Sequence, residues 1–568
     1  MSAGVTQRTT RIREAGDSAL LLDVGATHAS PLHETQVLLT AGSIDSNLNA
    51  RAIAIARAVR QRAIAGVRDV VPTFRSVAVF FDPLATDVAA VAAALHEEAD
   101  VAPCDSSGRT IEVPVVYGGD AGPDLAQVAA FAGCSQETVI ARHAARAYRV
   151  FMLGFLPGFA YMGSVDETIA APRRATPRLR VPAGSVGIAG RQTGIYPHDS
   201  PGGWHIIGQT AMELFDCGGT PPALFAPGDQ VRFVRTSGNA VSGFSRTQVR
   251  LTPEPTIQAA TRCVTVLRPG LLTTVQDSGR WGYQDLGVPS SGPMDFVAHR
   301  LANAVVGNPP DAATLETTWL GPELRIEQET RVAVAGGDLR ATLDSVDVPL
   351  YAAVRCRSGS VLRFGDRRAG ARAYVAFDGG IAVPPVLGSR ATHVPSGLGG
   401  MDGRALKAGD RIPLGHAGDI SRGMRTTWPR PPSGGARLRV LPGPQAEHFA
   451  PSALETLQRT RYTISPQSNR MGYRLAGGAS VRSATSGEMI SDAAFIGGVQ
   501  IPPSGNPILL MADRQTSGGY PQLAVVITAD LPLAGQLGPG DWVEFEACSR
   551  ADAIAALIKL EGTLLAVR

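Results

Sequence analysis

The chain has 568 residues, of which 44% are hydrophobic and 18% charged, and its formal net charge is +3 at pH 7. This length is too great for a single hydrophobic core, so about two to four domains are expected. The small net charge, without runs of like charge, argues against a nucleic-acid partner. The six cysteines form no Cys-x-x-Cys pair, so neither a metal site nor a disulfide framework is predicted. There is no run of roughly 18 apolar residues and no signal-peptide pattern, so we expect a cytoplasmic protein without a membrane partner.

The first hundred residues combine strand and helix patterns. An apolar run within 11–25 and the segment 76–83 predict strands, and residues 47–65 carry apolar side chains at helical spacing. A second, alanine-rich helix is predicted over 87–98, with an aspartate as its N-cap. Residues 1–100 are therefore predicted to form a small α+β domain.

The rest of the chain is dominated by short strands and turns rich in Gly and Pro, which is the pattern of all-β barrels. VPAGSVGIAGRQTGIYP (181–197) and IPPSGNPILLMADRQTSGGYP (501–521) share Arg-Gln-Thr and Tyr-Pro, and each is followed by a Pro-Gly-Asp turn. These ordered repeats predict two copies of one β architecture. We place a barrel at 101–255, a linker at 256–262 and a second part at 263–568.

The segment 151–210 is the densest in candidate functional residues. Its glycines and prolines let the backbone approach a ligand closely, and its arginines could hold a carboxylate or a phosphate. His198 and His205 flank a Gly-rich turn, and either could act as a general base or a hydrogen-bond donor. The alternative is that this segment packs one end of a barrel, with solvated arginines and structural histidines. Gln192 lies beside the last of the arginines that are candidates for binding an anion, which are Arg173, Arg174, Arg178, Arg180 and Arg191.

The second half offers carboxylates and amides in Gly-rich loops. Asp277 and Asp295 could act as bases, although an aspartate in a turn more often bonds its own backbone. The chain has no P-loop, no Gly-x-Gly-x-x-Gly turn between a strand and a helix, and no Gly-x-Ser-x-Gly elbow. Neither of its two lysines lies in a Met-Lys-Met turn, so covalent biotin is not expected. The other polar candidates are Arg470, Arg474, Gln500, Asp513, Gln515 and Thr516.

Several long motifs resemble those of one protein family. GFLPGFAYMG and PRLRVPAGSVGIAGRQTGIYPHDSPGGWHIIGQT resemble the B subunit of 5-oxoprolinase, also called allophanate hydrolase subunit 1. QDSGRWGYQDLGVPSSGPMD, PSGLGG, SNRMGYRLAG and LLMADRQTSGGYP resemble the C subunit, also called allophanate hydrolase subunit 2. The same pair is similar to the carboxyltransferase region of urea amidolyase. The resemblance implies a mostly β fold, with tandem cyclophilin-like β-barrel domains and a small N-terminal α+β domain. One departure is Asp492, where the pattern of the C subunit is expected to have Glu.

Two enzymatic activities follow from this resemblance. In the first, the chain acts with the separate A subunit of 5-oxoprolinase in the ATP-dependent hydrolysis of 5-oxoproline to glutamate. In the second, it is a biotin-dependent carboxyltransferase that moves a carboxyl group to urea or a similar amide. Its carboxybiotin would then lie on a separate biotin carrier that is loaded by a biotin carboxylase. A third, non-enzymatic alternative is a regulator that binds a histidine kinase. No covalent cofactor is expected on this chain, and ATP would bind together with a partner.

Both enzymatic alternatives require groups that hold a small amide and stabilise a negative oxygen. We expect the two halves to face each other, with the pocket between them. The residues to which we assign catalytic roles are His205, Asp277, Asp295 and Asp513. The residues to which we assign substrate binding are Arg174, Arg191, Gln192, His198, Arg470, Gln500, Gln515 and Thr516.

Overall fold

The computed structural model shows two closed seven-stranded barrels, a four-stranded sheet near the N-terminus and two larger sheets that lie between the barrels along the chain. The predicted mostly β fold, with tandem barrels and a small N-terminal α+β unit, is confirmed. The predicted linker lies outside the described residues as far as residue 261. The described residues are 11–24, 45–99, 108–237, 262–417, 424–483 and 489–566.

The N-terminal unit is an antiparallel sheet in the order β1-β2-β4-β3, with two helices. Side chains alternate across its strands, so Leu20 and Leu22 pack with the helices while Ala19 and Leu21 face the second half of the chain. The helices begin after Asp45 and Asp87, whose carboxylates accept backbone N–H groups of the first turn. The elements are β1 Arg11–Glu14, β2 Ala19–Asp23, α1 Ser46–Gln61, β3 Val67–Pro72, β4 Ser76–Phe81 and α2 Val88–Glu98.

The first barrel closes in the order β10-β7-β6-β13-β5-β12-β9. Its first and last strands along the chain, β5 and β13, pair in parallel. A two-stranded ribbon, β8 with β11, lies outside the closed sheet. Its helices are α3 Leu125–Phe131 and α4 Gln136–Ala144. Its strands are β5 Thr110–Tyr117, β6 Ala147–Leu153, β7 Ala160–Gly163, β8 Arg178–Val181, β9 Ser185–Ala189, β10 Gln192–Ile195, β11 Ser200–Gly202, β12 His205–Gln209 and β13 Gln230–Arg235.

Two sheets and one helix separate the barrels along the chain. The six-stranded sheet has the order β20-β19-β22-β17-β14-β24, and the five-stranded sheet has the order β15-β16-β23-β18-β21. The helix is α5 Phe296–Val306, which packs on β18 and β23. The strands are β14 Cys263–Arg268, β15 Leu272–Gln276, β16 Thr314–Thr318, β17 Glu323–Ile326, β18 Thr330–Asp338, β19 Thr342–Leu343, β20 Val346–Asp347, β21 Val354–Cys356, β22 Val361–Arg363, β23 Ala369–Phe377 and β24 Arg411–Pro413.

The second barrel closes in the order β30-β27-β26-β33-β25-β32-β29. Its first and last strands along the chain, β25 and β33, are again parallel. Each strand has a counterpart at the same place in the first barrel, and the outer ribbon β28 with β31 matches β8 with β11. The helices are α6 Ala453–Arg459, α7 Leu531–Gly535 and α8 Arg550–Leu565. The strands are β25 Gly435–Pro442, β26 Tyr462–Ile464, β27 Gly472–Ala476, β28 Asp492–Ala493, β29 Gly498–Gln500, β30 Ile508–Leu510, β31 Ser517–Gly518, β32 Gln522–Val526 and β33 Trp542–Ala547.

The shared strand order corrects the register of the sequence repeat. The first Arg-Gln-Thr, at 191–193, enters β10, whereas the second, at 514–516, lies between β30 and β31. The matching turns are instead Ser-Pro-Gly-Gly-Trp at 200–204 and Ser-Gly-Gly-Tyr at 517–520, each of which leads from an outer ribbon strand to the next barrel strand. The two halves are therefore alike in architecture, but the shared tripeptide does not occupy equivalent positions.

The N-terminal unit packs against both barrels. Phe74 stacks on Phe151 of the first barrel with ring centres 5.3 Å apart, and Phe80 contacts Phe495 of the second half at 5.2 Å. Asp492 accepts a hydrogen bond from the Ser76 hydroxyl at 2.5 Å. The carboxylate at the position where glutamate was expected therefore contributes to the contact between the N-terminal unit and the second half.

Candidate functional site

A cleft of about 400 Å³ lies between the two barrels. The matching turns of the two halves both line it, with Gly202 to Trp204 on one side and Gly518 to Tyr520 on the other. Gly202 has no side chain, and a Cβ atom there would lie 2.4 Å from the Tyr196 hydroxyl. The backbone can thus approach the aromatic side chains of the cleft closely.

The first barrel supplies an aromatic wall. The Phe159 ring meets the Tyr161 ring edge-on at 5.0 Å and the Trp204 ring at 5.5 Å. Phe155 and Tyr196 extend the same cluster, and all five residues line the cleft. Edge-to-face contacts fix the ring planes, so the wall is a rigid apolar surface for a small ring.

The second barrel supplies most of the polar lining. The Gln500 side-chain amide donates to the Tyr520 carbonyl at 3.4 Å. Arg474 is exposed, and no carboxylate in the described parts of the chain forms an ion pair with its guanidinium. Burial raises the pKa of the Tyr161 hydroxyl, and Ser491 and Ser517 line the same cleft. The polar lining residues are Arg173, Gln467, Asn469, Arg474, Ser491, Gln500, Gln515, Ser517 and Tyr520.

The cleft is suited to binding an anion or an amide and poorly suited to acid–base catalysis on its own. No histidine, aspartate or glutamate is among the described residues that line it. General acid–base catalysis usually depends on these side chains. The cleft can hold a ligand by its charge, its amide and its ring face, whereas proton transfer would require groups from elsewhere.

Of the twelve residues assigned from the sequence, Gln500 and Gln515 line the cleft and the other ten do not. In the first barrel, Arg174 binds the buried carboxylate of Asp124 at 2.7 Å, and Arg191 binds Glu167 at 2.7 Å. These two arginines were expected to bind substrate, but in the structure their charges are compensated by carboxylates of the same chain.

The remaining first-barrel candidates lie outside the lining of the cleft. Gln192 begins β10, where its backbone pairs with β7 and β9. The Nδ1 atom of His198 lies 3.2 Å from the Asp199 carbonyl. His205 directly follows the tryptophan of the cleft, and burial lowers its pKa. Their assigned roles in catalysis or binding remain predictions.

In the second half, the assigned carboxylates have partners within the fold. Asp277 accepts hydrogen bonds from the Ser389 hydroxyl at 2.6 Å and from a backbone N–H at 3.0 Å. Asp295 caps α5 through the Ala298 N–H at 2.9 Å, and burial raises its pKa to about 6. These contacts hold a loop at Asp277 and cap a helix at Asp295, and neither residue lines the cleft. The catalytic roles assigned to both remain predictions.

A buried ion network lies behind the lining residues of the second barrel. Arg470 donates to both carboxylate oxygens of Asp513, at 2.9 and 3.0 Å, and it also contacts Glu316. Although burial alone would raise it, Arg470 holds the pKa of Asp513 below its ordinary value. Thr516 is also buried, with 2% of its surface exposed. The charges of Arg470 and Asp513 are therefore compensated within the network without a ligand.

Arg173 and Arg474, which the sequence also offered as candidates, line the cleft, whereas the aromatic lining residues were not singled out. Trp204 lies one position before the assigned His205, and Arg474 lies in β27, four residues after the assigned Arg470. The aromatic residues were within the quoted motifs, so a preference for aromatic side chains in Gly-rich turns could have identified them.

Two kinds of feature are absent from the described ranges. No helix there is long and apolar enough to cross a bilayer. No group of three or more His, Cys, Asp and Glu side chains there is arranged to hold a metal ion.

The fold and the cleft define a carboxyltransferase-type protein with two halves in one chain. Two family models match it: "Carboxyltransferase domain, subdomain C and D" over 10–225 and "Carboxyltransferase domain, subdomain A and B" over 286–547. The chain belongs to this carboxyltransferase-domain family, which includes the B and C subunits of 5-oxoprolinase. The resemblance seen in the sequence is thereby confirmed.

The relatives match different halves of the chain. The C subunit of Escherichia coli 5-oxoprolinase is 40% identical over 293 residues, which cover 51% of this chain and 93% of that protein. The B subunit of Bacillus subtilis 5-oxoprolinase is 37% identical over 244 residues, covering 40% of this chain and 93% of that protein. Saccharomyces cerevisiae urea amidolyase is 32% identical over 310 residues, which are 50% of this chain but 16% of that protein. The chain thus combines regions similar to two separate subunits.

A solved structure matches both halves at once. The crystal structure of the protein TTHA0988 superposes with a TM-score of 0.80 at 34% identity, covering 94% of this chain and 100% of that one. The arrangement of both halves in one chain therefore has a close structural counterpart.

Proposed function

We propose that the chain is the B and C part of an ATP-dependent 5-oxoprolinase, that it acts with the separate A subunit of that enzyme, and that its cleft binds 5-oxoproline. The observation that carries the proposal is the composition of the cleft, which joins an aromatic wall from one barrel to amides and an arginine from the other. Its volume of about 400 Å³ lies within the range of small-molecule sites.

The chemistry of 5-oxoproline matches these groups one by one. The molecule is a five-membered lactam with one carboxylate. The ring packs on the aromatic wall near Trp204, and the carboxylate pairs with Arg474. The lactam N–H and carbonyl bond Gln500 and Gln515. An arginine without an ion-pair partner in the described chain favours a carboxylate, because charge-assisted hydrogen bonds are the stronger ones.

ATP binding is assigned to the A subunit. Magnesium nucleotides are usually held through carboxylates that bind the metal, and the described lining residues of the cleft include none. This lining supports the assignment of ATP binding to the A subunit. In the proposed division of work, this chain binds and orients the lactam. The A subunit supplies the groups that activate it and add water across the C–N bond.

The test is ATP-dependent release of glutamate from 5-oxoproline by the chain co-purified with a candidate A subunit. Arg474→Gln should raise KM roughly 10- to 150-fold, since a hydrogen bond to a charged group contributes about 1.5–3 kcal/mol. Arg437→Gln is the matched control, because Arg437 lies in the same barrel, is exposed and pairs with Glu544 outside the cleft.

Two results would count against the proposal. One is an active complex in which the Arg474 variant and the Arg437 control have the same KM. The other is the absence of glutamate release by a complex that purifies intact and hydrolyses ATP.

The alternative is carboxyl transfer from carboxybiotin to urea or a similar amide. The neutral, aromatic side of the cleft favours it, since Tyr161, Gln500 and Gln515 would hold a ureido ring as well as a lactam. Bound carboxybiotin would supply the activated carboxyl group. The chain would be mixed with a biotin carboxylase, a biotin carrier, ATP, labelled bicarbonate and urea. Label in an amide product supports the alternative, and its absence alongside glutamate release in the first assay excludes it.

A further inference from the structure

Arg514 is a fully buried arginine that immediately precedes a lining residue of the cleft. Only 1% of its surface is exposed. Its guanidinium donates to the Gln284 side-chain oxygen at 2.8 Å, the Ala494 carbonyl at 3.1 Å and the Ser290 hydroxyl at 3.3 Å. All three acceptors are neutral, and no carboxylate in the described ranges forms an ion pair with Arg514. A buried charge without a direct counter-charge is unusual and requires compensation nearby.

The compensating charge comes from the N-terminal unit. Asp69, on β3, is 5% exposed and accepts the Gln284 side-chain N–H at 3.0 Å and the Gly282 backbone N–H at 2.9 Å. One glutamine side chain thus connects the carboxylate of one unit to the guanidinium of another. Burial lowers the pKa of Arg514 to about 10, and Asp69 is the charge that opposes this shift.

The Arg514 end of this network reaches the lining of the cleft at two points. Ala494, whose carbonyl accepts from Arg514, lines the cleft, as does the next residue, Gln515. The Ala494 N–H also donates to the Thr516 carbonyl at 3.0 Å. A second tie runs from the N-terminal unit to the same region, because Ser76 bonds the first residue of β28.

We propose that Arg514 is a positioning residue for the cleft and that Asp69, acting through Gln284, fixes its orientation, so that the N-terminal unit forms part of the functional site. The kinetic part of this inference rests on the proposed function. The network holds Ala494 and Gln515 at fixed separation, and the loop from 513 to 520 depends on it for its place opposite the aromatic wall.

The experiment compares Asp69→Asn and Arg514→Gln in the full chain with the A subunit. Asp87→Asn is the control, since Asp87 lies in the same N-terminal unit and caps an exposed helix start. In the ligand-free chain, Asp69→Asn should speed amide hydrogen exchange in 513–520, whereas the control should leave it unchanged. The kcat/KM for 5-oxoproline should fall roughly 10- to 100-fold in both variants, the scale expected for a misplaced binding group.

Coupling between the two residues gives the sharpest readout. If Asp69 acts through Arg514, the double variant should be no worse than Arg514→Gln alone. Losses in kcat/KM that multiply in the double variant would overturn the inference. Unchanged amide hydrogen exchange in 513–520 in Asp69→Asn would also overturn it, even if Arg514→Gln failed to fold. A wild-type complex without 5-oxoproline turnover would end the proposed function instead, and the exchange measurement would still decide on the network.

Discussion

Removal of the Arg470 guanidinium should destabilise the second half of the protein far more than removal of the nearby Arg474 guanidinium. Arg470 is 6% exposed, and its partners Asp513 and Glu316 are 2% and 1% exposed. In Arg470→Met, two buried carboxylates lose their shared counter-charge. Breaking a buried ion pair by removing one partner costs about 3–5 kcal/mol, and we expect a loss of this size.

The assay is urea denaturation of both variants at pH 7, followed by circular dichroism. Arg474→Met is the matched control, because Arg474 is exposed and most surface substitutions change stability by about 0.5 kcal/mol or less. The reasoning is refuted if Arg470→Met unfolds at the wild-type urea concentration while losing turnover. Arg470 would then be a substrate-binding residue, as the sequence alone predicts.

Three further predictions concern the junction of the halves, a helix cap and the outer ribbon. Gly287→Ala should lower the melting temperature and turnover, since φ there is +79° and a Cβ atom would lie 2.3 Å from the Leu156 carbonyl of the first barrel. The free energy of unfolding of Asp295→Asn relative to wild type should rise between pH 4 and 7 by up to about 3 kcal/mol, as measured by urea titrations. The native-state pKa of Asp295 is about 6, against an ordinary 3.8, so the contribution of Asp295 to wild-type stability is greatest below pH 3.8 and declines as pH rises through 6. Asp124→Ala should raise KM, because this carboxylate accepts hydrogen bonds from two arginines and from a backbone N–H of β12.

Each of these predictions has a clear opposite. A Gly287→Ala protein with normal melting would mean that the loops at the junction can shift to admit a methyl group. A stability difference that is constant between pH 4 and 7 would contradict the raised pKa of Asp295. Unchanged kinetics in Asp124→Ala would show that the ribbon does not shape the cleft.

The architecture was largely predictable because its signals are local. Gly and Pro turns at short intervals indicated barrels, and Asp87 before an alanine-rich run indicated a helix start that the structure retains. The strand order of a barrel is not local. The two Arg-Gln-Thr segments looked equivalent, yet they fall at different places in the matching strand orders. A match of three residues therefore does not establish that two segments occupy equivalent positions in the strand order.

The sequence indicated segments that line the cleft, but ten of the twelve assigned residues lie outside its lining. The motif around Trp204 was identified, yet the histidine after it was chosen, because a titratable side chain suggests catalysis. Adjacent residues of a strand or tight turn differ in the side they face, and the sequence does not say which side the cleft will occupy. The pairing of Arg470 with Glu316, 154 residues away, is equally invisible to local patterns.

A crystal structure of the chain with 5-oxoproline tests the shared cleft most directly. We predict electron density for the lactam between Trp204 and Gln515, with its carboxylate at Arg474. Ligand ordered at any other place, or no binding by a chain whose complex with the A subunit releases glutamate, would contradict a substrate site built jointly by the two barrels.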